Sequence, residues 1–139
     1  MTPTETFLRA RDFLLQHRED YDKAYREFRF PDLPAFNWAL DWFDVIAANN
    51  RRTALWLVRD GEEDEKVSYA ELSERSSRLA SFLRAQGVRR GDVILLMLPN
   101  VVPLWEALLA AIKLGTSVVP STTQLTVSDL RDRITRGRV

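Results

Sequence analysis

The sequence has no cysteine and only one histidine. Without cysteine there are no disulfides, no thiolate metal sites and no cysteine nucleophile, a composition compatible with a reducing compartment. His17 sits among charged neighbours with no partner at metal or triad spacing, so it reads as a solvated surface histidine. Glycine is sparse, with five residues at 61, 87, 91, 115 and 137, and none falls in a G-x-G-x-x-G or Walker pattern. The usual phosphate cradles are therefore missing. Net charge is missing too: twenty basic residues balance twenty acidic ones, and no overall field favours nucleic acid or an anionic membrane. The apolar stretches are all far short of a membrane span. Charges interrupt them in MTPTETFLRARDFLLQHRED, unlike a signal peptide, and Glu5, Asp12, Glu19 and Asp20 argue against a mitochondrial transit peptide. A soluble, cytoplasmic protein is the expectation.

What is present is globular: 45% of the 139 residues are apolar, enough for one domain with a core of its own. Two helical stretches open the chain. Phe7, Ala10 and Leu14 recur at helical spacing in the first, beside Leu8 and Leu15. Tyr21, Tyr25 and Phe28 place three rings on one stripe in the second, which predicts packing against the rest of the fold. FPDLPAF then breaks helix at Pro31 and Pro34. Residues 1–35 thus read as a helical arm and linker, and residues 36–139 as an α/β unit.

Within that unit FNWALDWFDVIAANN predicts a helix with Trp38, Trp42 and Ile46 on one face. TALWLVRD is a continuous apolar run, which predicts a strand covered on both faces. KVSY resumes an extended segment after the acidic turn DGEEDE, so the two can pair as a hairpin. Ser68 and Glu71 form an S-x-x-E capping box. The helix they open holds Leu72, Leu79, Ala80 and Leu83 on one face and stops at Gly87. DVILLMLP is the next strand. VVPLWEALLAAIKLG is a helix with Trp105, Leu108, Leu109 and Ile112 at i, i+3, i+4 and i+7, closed by Gly115. TSVVP is a third buried strand, and TVSDLRDRI a helix capped by Thr126. From Tyr69 the alternation of helix and apolar strand indicates a parallel sheet with helices on its faces and right-handed crossovers. After RGRV the same alternation calls for another strand, so the sheet reads as partial.

Chemistry-bearing residues are few. Glu62, Glu63, Asp64 and Glu65 have the charge for a cation but the pattern of a solvated turn. Arg131, Arg133, Arg136 and Arg138 can attract a phosphate or simply form a polar helix face. The remaining candidate is the loop STTQ at 121–124, directly after a strand end. Ligands of open parallel sheets bind beyond the carboxyl ends of their strands. Two readings stand side by side. Ser121, Thr122 and Thr123 cap and satisfy the backbone, or with Gln124 and the following helix terminus they hydrogen-bond an amide or a phosphate.

VSYAELSERSSRLASFLRAQGVRRGDVILLMLPN and LAAIKLGTSVVPSTTQLTVSDLRDRI resemble the amino-terminal region of adenylate-forming acyl-CoA synthetases. Ser68, Tyr69, Glu71 and Leu72 match that family's T/S-Y-x-E-L helix start. Lys113, Gly115, Val119 and Pro120 match its K/R-x-G helix end and V-P strand end. FNWALDWFD, ALWLV and PSTTQL are most similar to the medium-chain branch. The resemblance covers residues 36–139 well and the arm loosely. It implies the partial, doubly wound amino-terminal segment of the adenylate-forming fold, preceded by a helical arm.

The activity it implies is a two-step ligase reaction. A fatty or related carboxylic acid and ATP give an acyl-adenylate, and CoA then displaces AMP, with Mg²⁺ stabilising the phosphates in transfer. In that family the phosphate loop, the nucleotide contacts and the catalytic lysine lie further along, so the resemblance implies no catalytic and no metal-binding residue here. None of ATP, CoA or Mg²⁺ is expected to bind this chain tightly alone. One position carries over, Gln124, the glutamine of P-x-T-x-Q, as a CoA contact. Ser121 stands where the family often has glycine. The chain is therefore expected to be an inactive fragment of an acid–CoA ligase. A different class of reading is a non-catalytic interaction or regulatory module of the same fold, self-associating through the unfinished sheet edge.

Overall fold

The computed structural model describes residues 1–61 and 63–139. They fall into two compact units, Met1–Phe36 and Asn37–Val139. The first holds α1 (Pro3–Gln16) and α2 (Tyr21–Glu27). Thr2 and Glu5 close a capping box on α1, with Pro3 in the first turn where no amide donor is needed. Asp20 caps α2 through the Lys23 amide. Rings hold this unit together: Phe7 stacks on Phe36 at 5.0 Å, and Phe13 meets His17 edge-on at 4.6 Å. No side chain in it is fully buried. Tyr21 and Tyr25 stack on each other at 5.8 Å yet are 74% and 76% exposed. Phe28, the third ring of the stripe, is half-buried and meets Phe13 at 6.2 Å within the same unit.

The second unit begins with a π-helical segment, Trp38–Phe43, which runs into the short α3 (Asp44–Ala47). The Asn37 carbonyl oxygen of the side chain accepts from the amides of Ala39 and Leu40, which starts the segment. The wider π winding moves the buried stripe by one residue from the expected one. Ala39, Phe43 and Ala47 are buried, while Trp38 and Trp42 lean together at 5.0 Å beside them.

β1 (Thr53–Leu57) and β2 (Glu65–Ser68) form an antiparallel hairpin, with a register shift between Thr53 and Leu55. β1 is not covered on both faces. Leu57 is buried, but Trp56 is 56% exposed, because a two-stranded hairpin packs only one of its faces. Lys66 caps the Trp56 ring at 4.2 Å, and the indole nitrogen donates to Asp64 at 2.8 Å.

α4 (Tyr69–Ala85) follows directly, and its capping box is complete: the Glu71 amide donates to the Ser68 hydroxyl, and the Glu71 carboxylate accepts from the Ser68 amide at 2.9 Å. Its buried residues Leu72, Ser76 and Ala80 lie one turn apart. β3 (Val93–Leu96), α5 (Val102–Leu114) and β4 (Ser117–Pro120) make one strand–helix–strand crossover. β3 and β4 pair in parallel from Val93↔Ser117 to Leu96↔Pro120. The fold is thus α/β with a parallel sheet, as the alternation implies. The expected burial of these strands is not met: all of β3 and the two central valines of β4 are half-buried. With two strands in this sheet among the described residues, each keeps an edge and part of a face open.

Gly115 closes α5 in the left-handed region at φ +71, and a Cβ there would meet the Arg90 side chain at 3.1 Å. α6 (Val127–Gly137) ends the described chain, with Arg138 at φ 53 as its cap. RGRV thus belongs to the last turn and cap of α6.

The core is a single cluster: Ala39, Phe43, Ala47, Leu57, Val67, Leu72, Val102 and Leu109. Across its polar border runs a charged tie. Lys113, with a side chain 4% exposed, pairs with Asp44 at 2.7 Å and donates to Ser77 at 2.8 Å and to the Ser73 carbonyl at 3.1 Å. Ser73 in turn donates to Asp44 at 2.6 Å.

The α4 cap should be visible in stability against pH. Bonds from the Ser68 amide, then from its hydroxyl, hold the Glu71 carboxyl below its ordinary value of 4.5. A depressed carboxylate contributes stability that is fully present above 4.5 and is lost as pH falls through the lowered value. Ser68→Ala is expected to cost about 1 kcal/mol at neutral pH and to flatten the acid limb of the unfolding curve. Denaturant midpoints measured from pH 7 to pH 3 check this, and an unchanged acid limb would show that the Ser68 hydroxyl does not act through Glu71, whose bond from the Ser68 amide the substitution leaves in place.

Candidate functional site

β4 delivers the chain to the carboxyl end of the parallel pair, and the loop leaves from there. The Ser121 amide donates to the Leu96 carbonyl at 2.9 Å, so the first loop residue is still fastened to β3. Thr122, Thr123 and Gln124 are exposed. The Thr122 hydroxyl accepts from the Gln124 amide at 3.3 Å, a local turn that projects residues 123 and 124 from the sheet. Leu125 is half-buried, and Thr126 begins the next helix.

The amino terminus of α6 is already occupied by a carboxylate. Asp129 accepts from the Thr126 amide at 3.0 Å and from its hydroxyl at 2.6 Å, while its own amide donates back to that hydroxyl. The hydroxyl, then the amide, holds the Asp129 carboxyl below its ordinary value of 3.8. An ionised carboxylate thus takes the place an anion would use at this helix end. Of the two ligand chemistries the loop admits, phosphate is therefore disfavoured and a neutral amide is not. Gln124 offers both a donor and an acceptor to such a group.

Ser121 behaves differently from its neighbours. Its hydroxyl oxygen is buried and has no hydrogen-bond partner among the described residues. An unmet hydroxyl of this kind is a cost the fold carries at the base of the loop.

The other charged candidates are engaged locally. Asp64 accepts from Trp56, and Glu65 pairs with Arg59 at 3.3 Å; Glu62 lies outside the described residues. Among the described residues no three acidic or histidine side chains converge on a metal-sized site. Arg136 pairs with Asp132 at 2.8 Å on the open face of α6.

A larger feature was not visible in the pattern of residues. Trp105, Leu108, Leu109 and Ile112 line an apolar groove of ≈ 430 Å³ whose other walls include Trp38, Leu55 and Leu72, and Leu109 is also buried in the core cluster. Trp105 and Ile112 are 40% and 39% exposed. The helical period identified the stripe correctly. It could not say which members enter the core, as Leu109 does, and which only border it, as Trp105 and Ile112 do.

The sequence pattern described as "AMP-binding enzyme" matches residues 42–139, most of this chain. The chain belongs to the AMP-binding enzyme family. It is 44% identical over 106 residues to 4-hydroxybutyrate–CoA ligase 1 of Metallosphaera sedula, covering 73% of this chain and 19% of that one. It is 32% identical over 126 residues to the mitochondrial acyl-coenzyme A synthetase ACSM3 of Homo sapiens, covering 86% and 22%. Among solved structures it superposes on a fatty acid AMP ligase from Legionella pneumophila with a TM-score of 0.61 at 25% identity, covering 70% and 18%. It also superposes on O-succinylbenzoate coenzyme A synthetase from Bacillus subtilis, in complex with AMP, with a TM-score of 0.60 at 29% identity, covering 69% and 24%. This AMP-binding enzyme chain spans about a fifth of the length of the curated relatives it matches. The region corresponds to the amino-terminal part of an adenylate-forming acyl-CoA synthetase. No described helix is long and apolar enough to cross a membrane.

Removing the orphaned hydroxyl tests the geometry of the loop base. Ser121→Ala is expected to leave stability unchanged or raise it by up to about 1 kcal/mol. Urea unfolding of the two chains decides. A loss beyond about 1 kcal/mol would mean that the hydroxyl makes a bond in solution.

Proposed function

We propose that this chain is part of an acid–CoA ligase that activates a medium-chain fatty acid or related carboxylic acid with ATP and passes the acyl group to CoA. The observation that carries the reading is the loop itself. An exposed glutamine stands at the carboxyl end of a parallel strand, before a helix whose terminus holds an ionised aspartate. That setting suits the neutral amides of the pantetheine arm of CoA better than its phosphates. Gln124 is the residue assigned to that contact. ATP and Mg²⁺ chemistry is assigned to parts of the parent enzyme other than these residues, and no catalytic side chain is named here.

Two expectations follow from this reading. In the complete synthetase, Gln124→Ala should raise the KM for CoA by about three- to tenfold, the value of one or two neutral hydrogen bonds, and leave the KM for ATP unchanged. Equal effects on both would make the loop structural. The 139-residue chain alone should give no ATP–pyrophosphate exchange above background, and a clear exchange rate would overturn its inactivity.

The open edges of the β3–β4 pair support a second reading, a non-catalytic module of this fold that self-associates. Light scattering across concentration separates the two: a defined oligomer favours the module, and a monomer at every concentration removes it.

A further inference from the structure

We infer that Lys113 is a positioning residue for the loop at 121–126. Its buried ammonium fixes where α5 ends, and so where β4 releases the loop. The ligand consequence rests on the reading of Gln124 as a CoA contact; the mechanical coupling does not.

An ammonium has three donors, and those of Lys113 meet three oxygens, from Asp44, Ser77 and the Ser73 carbonyl. They belong to two different helices, α3 and α4. Burying a charge this far is costly, and an apolar side chain of similar length would pack there at less expense. What the charge adds is a unique register. Besides Leu72, Val102 and Leu109 of the core cluster, the buried residues of α4 and α5 include the small Ala80, Ala110 and Ala111, which constrain register weakly. The ammonium constrains it more, because when displaced it loses all three acceptors together. The Asn37 side chain adds a second tie to the same helix end, donating to the Ile112 carbonyl at 2.7 Å.

From there the chain to the loop has no slack. Gly115 reverses it, and the amide and hydroxyl of Thr116 both return to the Ala111 carbonyl, at 3.0 and 3.1 Å. The Ser117 amide donates to Asp92 at 2.8 Å, β4 pairs residue by residue with β3, and the Ser121 amide ends on Leu96. Movement at residue 113 therefore has no flexible joint to absorb it before residue 121.

The test uses the 139-residue chain carrying Lys113→Met together with Asp44→Leu, which removes both charges and leaves no orphaned carboxylate to unfold it. Backbone amide exchange is the readout. The inference expects the Ser117 and Ser121 amides to exchange about tenfold faster or more, with the central turns of α4 unchanged. Exchange and shift changes confined to α3, α4 and α5, with residues 117–126 unmoved, would overturn it. In the complete synthetase the same pair of substitutions should raise the KM for CoA and preserve ATP–pyrophosphate exchange. A loosened loop with an unchanged KM for CoA would uphold the coupling and overturn the CoA reading of Gln124.

Discussion

The pair between Lys113 and Asp44 is the constraint on which the second unit depends. It joins α5 to α3 directly and to α4 through Ser73 and Ser77, so one ammonium refers three helices to a single point. Breaking such a pair by removing one partner costs about 3 kcal/mol or more when the survivor is fully buried. Asp44 keeps a side-chain exposure of 25%, so water softens that penalty on its side. The stability supplied is therefore modest. The specificity is not, because Ser73 and Ser77 complete the acceptor set only in one register.

That arrangement explains how a thin core can hold a defined shape. The buried set contains three alanines, Ala39, Ala47 and Ala80, besides two in α5, and its large members among the described residues are few: Phe43, Leu57, Leu72 and Leu109. The bulkier side chains, Trp38, Trp105 and Ile112, stand at the groove instead. Packing density alone would leave several arrangements of α4 against α5 close in energy. Capping boxes at Thr2, Ser68 and Thr126 then fix helix starts, and the Lys113 tie fixes how the helices mesh. Local signals and a few long-range polar contacts, the buried Lys113 tie among them, share the work of specification.

How much of this was legible in the sequence follows from the range of each signal. Ser68 and Glu71 are three residues apart, so the α4 cap could be read directly, and so could the Thr126 start of α6. The alternation from Tyr69 onward fixed the parallel pairing of β3 and β4 because it needs only period and order. The π-helical winding at Trp38–Phe43 was not readable, since nothing in WALDWF distinguishes it from an ordinary helix, and it shifted the buried stripe by one residue. The Lys113 network joins residues 29 to 69 positions apart, beyond any local pattern. Lys113 could be matched to a motif, but the motif does not say what the ammonium touches. The loop at 121–126 was legible as a candidate. The half of its character that mattered, a carboxylate sitting at the helix terminus, came from Asp129 in a position that a serine/threonine-to-glutamate search passes over.

That carboxylate weighs on the ligand chemistries the loop sequence leaves open. A strand end, three hydroxyls and a helix amino terminus together suggest a phosphate, and the macrodipole of α6 would favour one. Asp129 cancels that advantage from within. Its charge is stabilised by the Thr126 hydroxyl and amide, so bringing a phosphate there would set two anions against each other. The exposed side chains of the loop itself, Thr122, Thr123 and Gln124, are all uncharged. A neutral polar arm with amide groups meets them without desolvating a charge on either side. Gln124 is thus distinguished by exclusion at the helix terminus as much as by its own chemistry, and the register held by Lys113 determines where it stands.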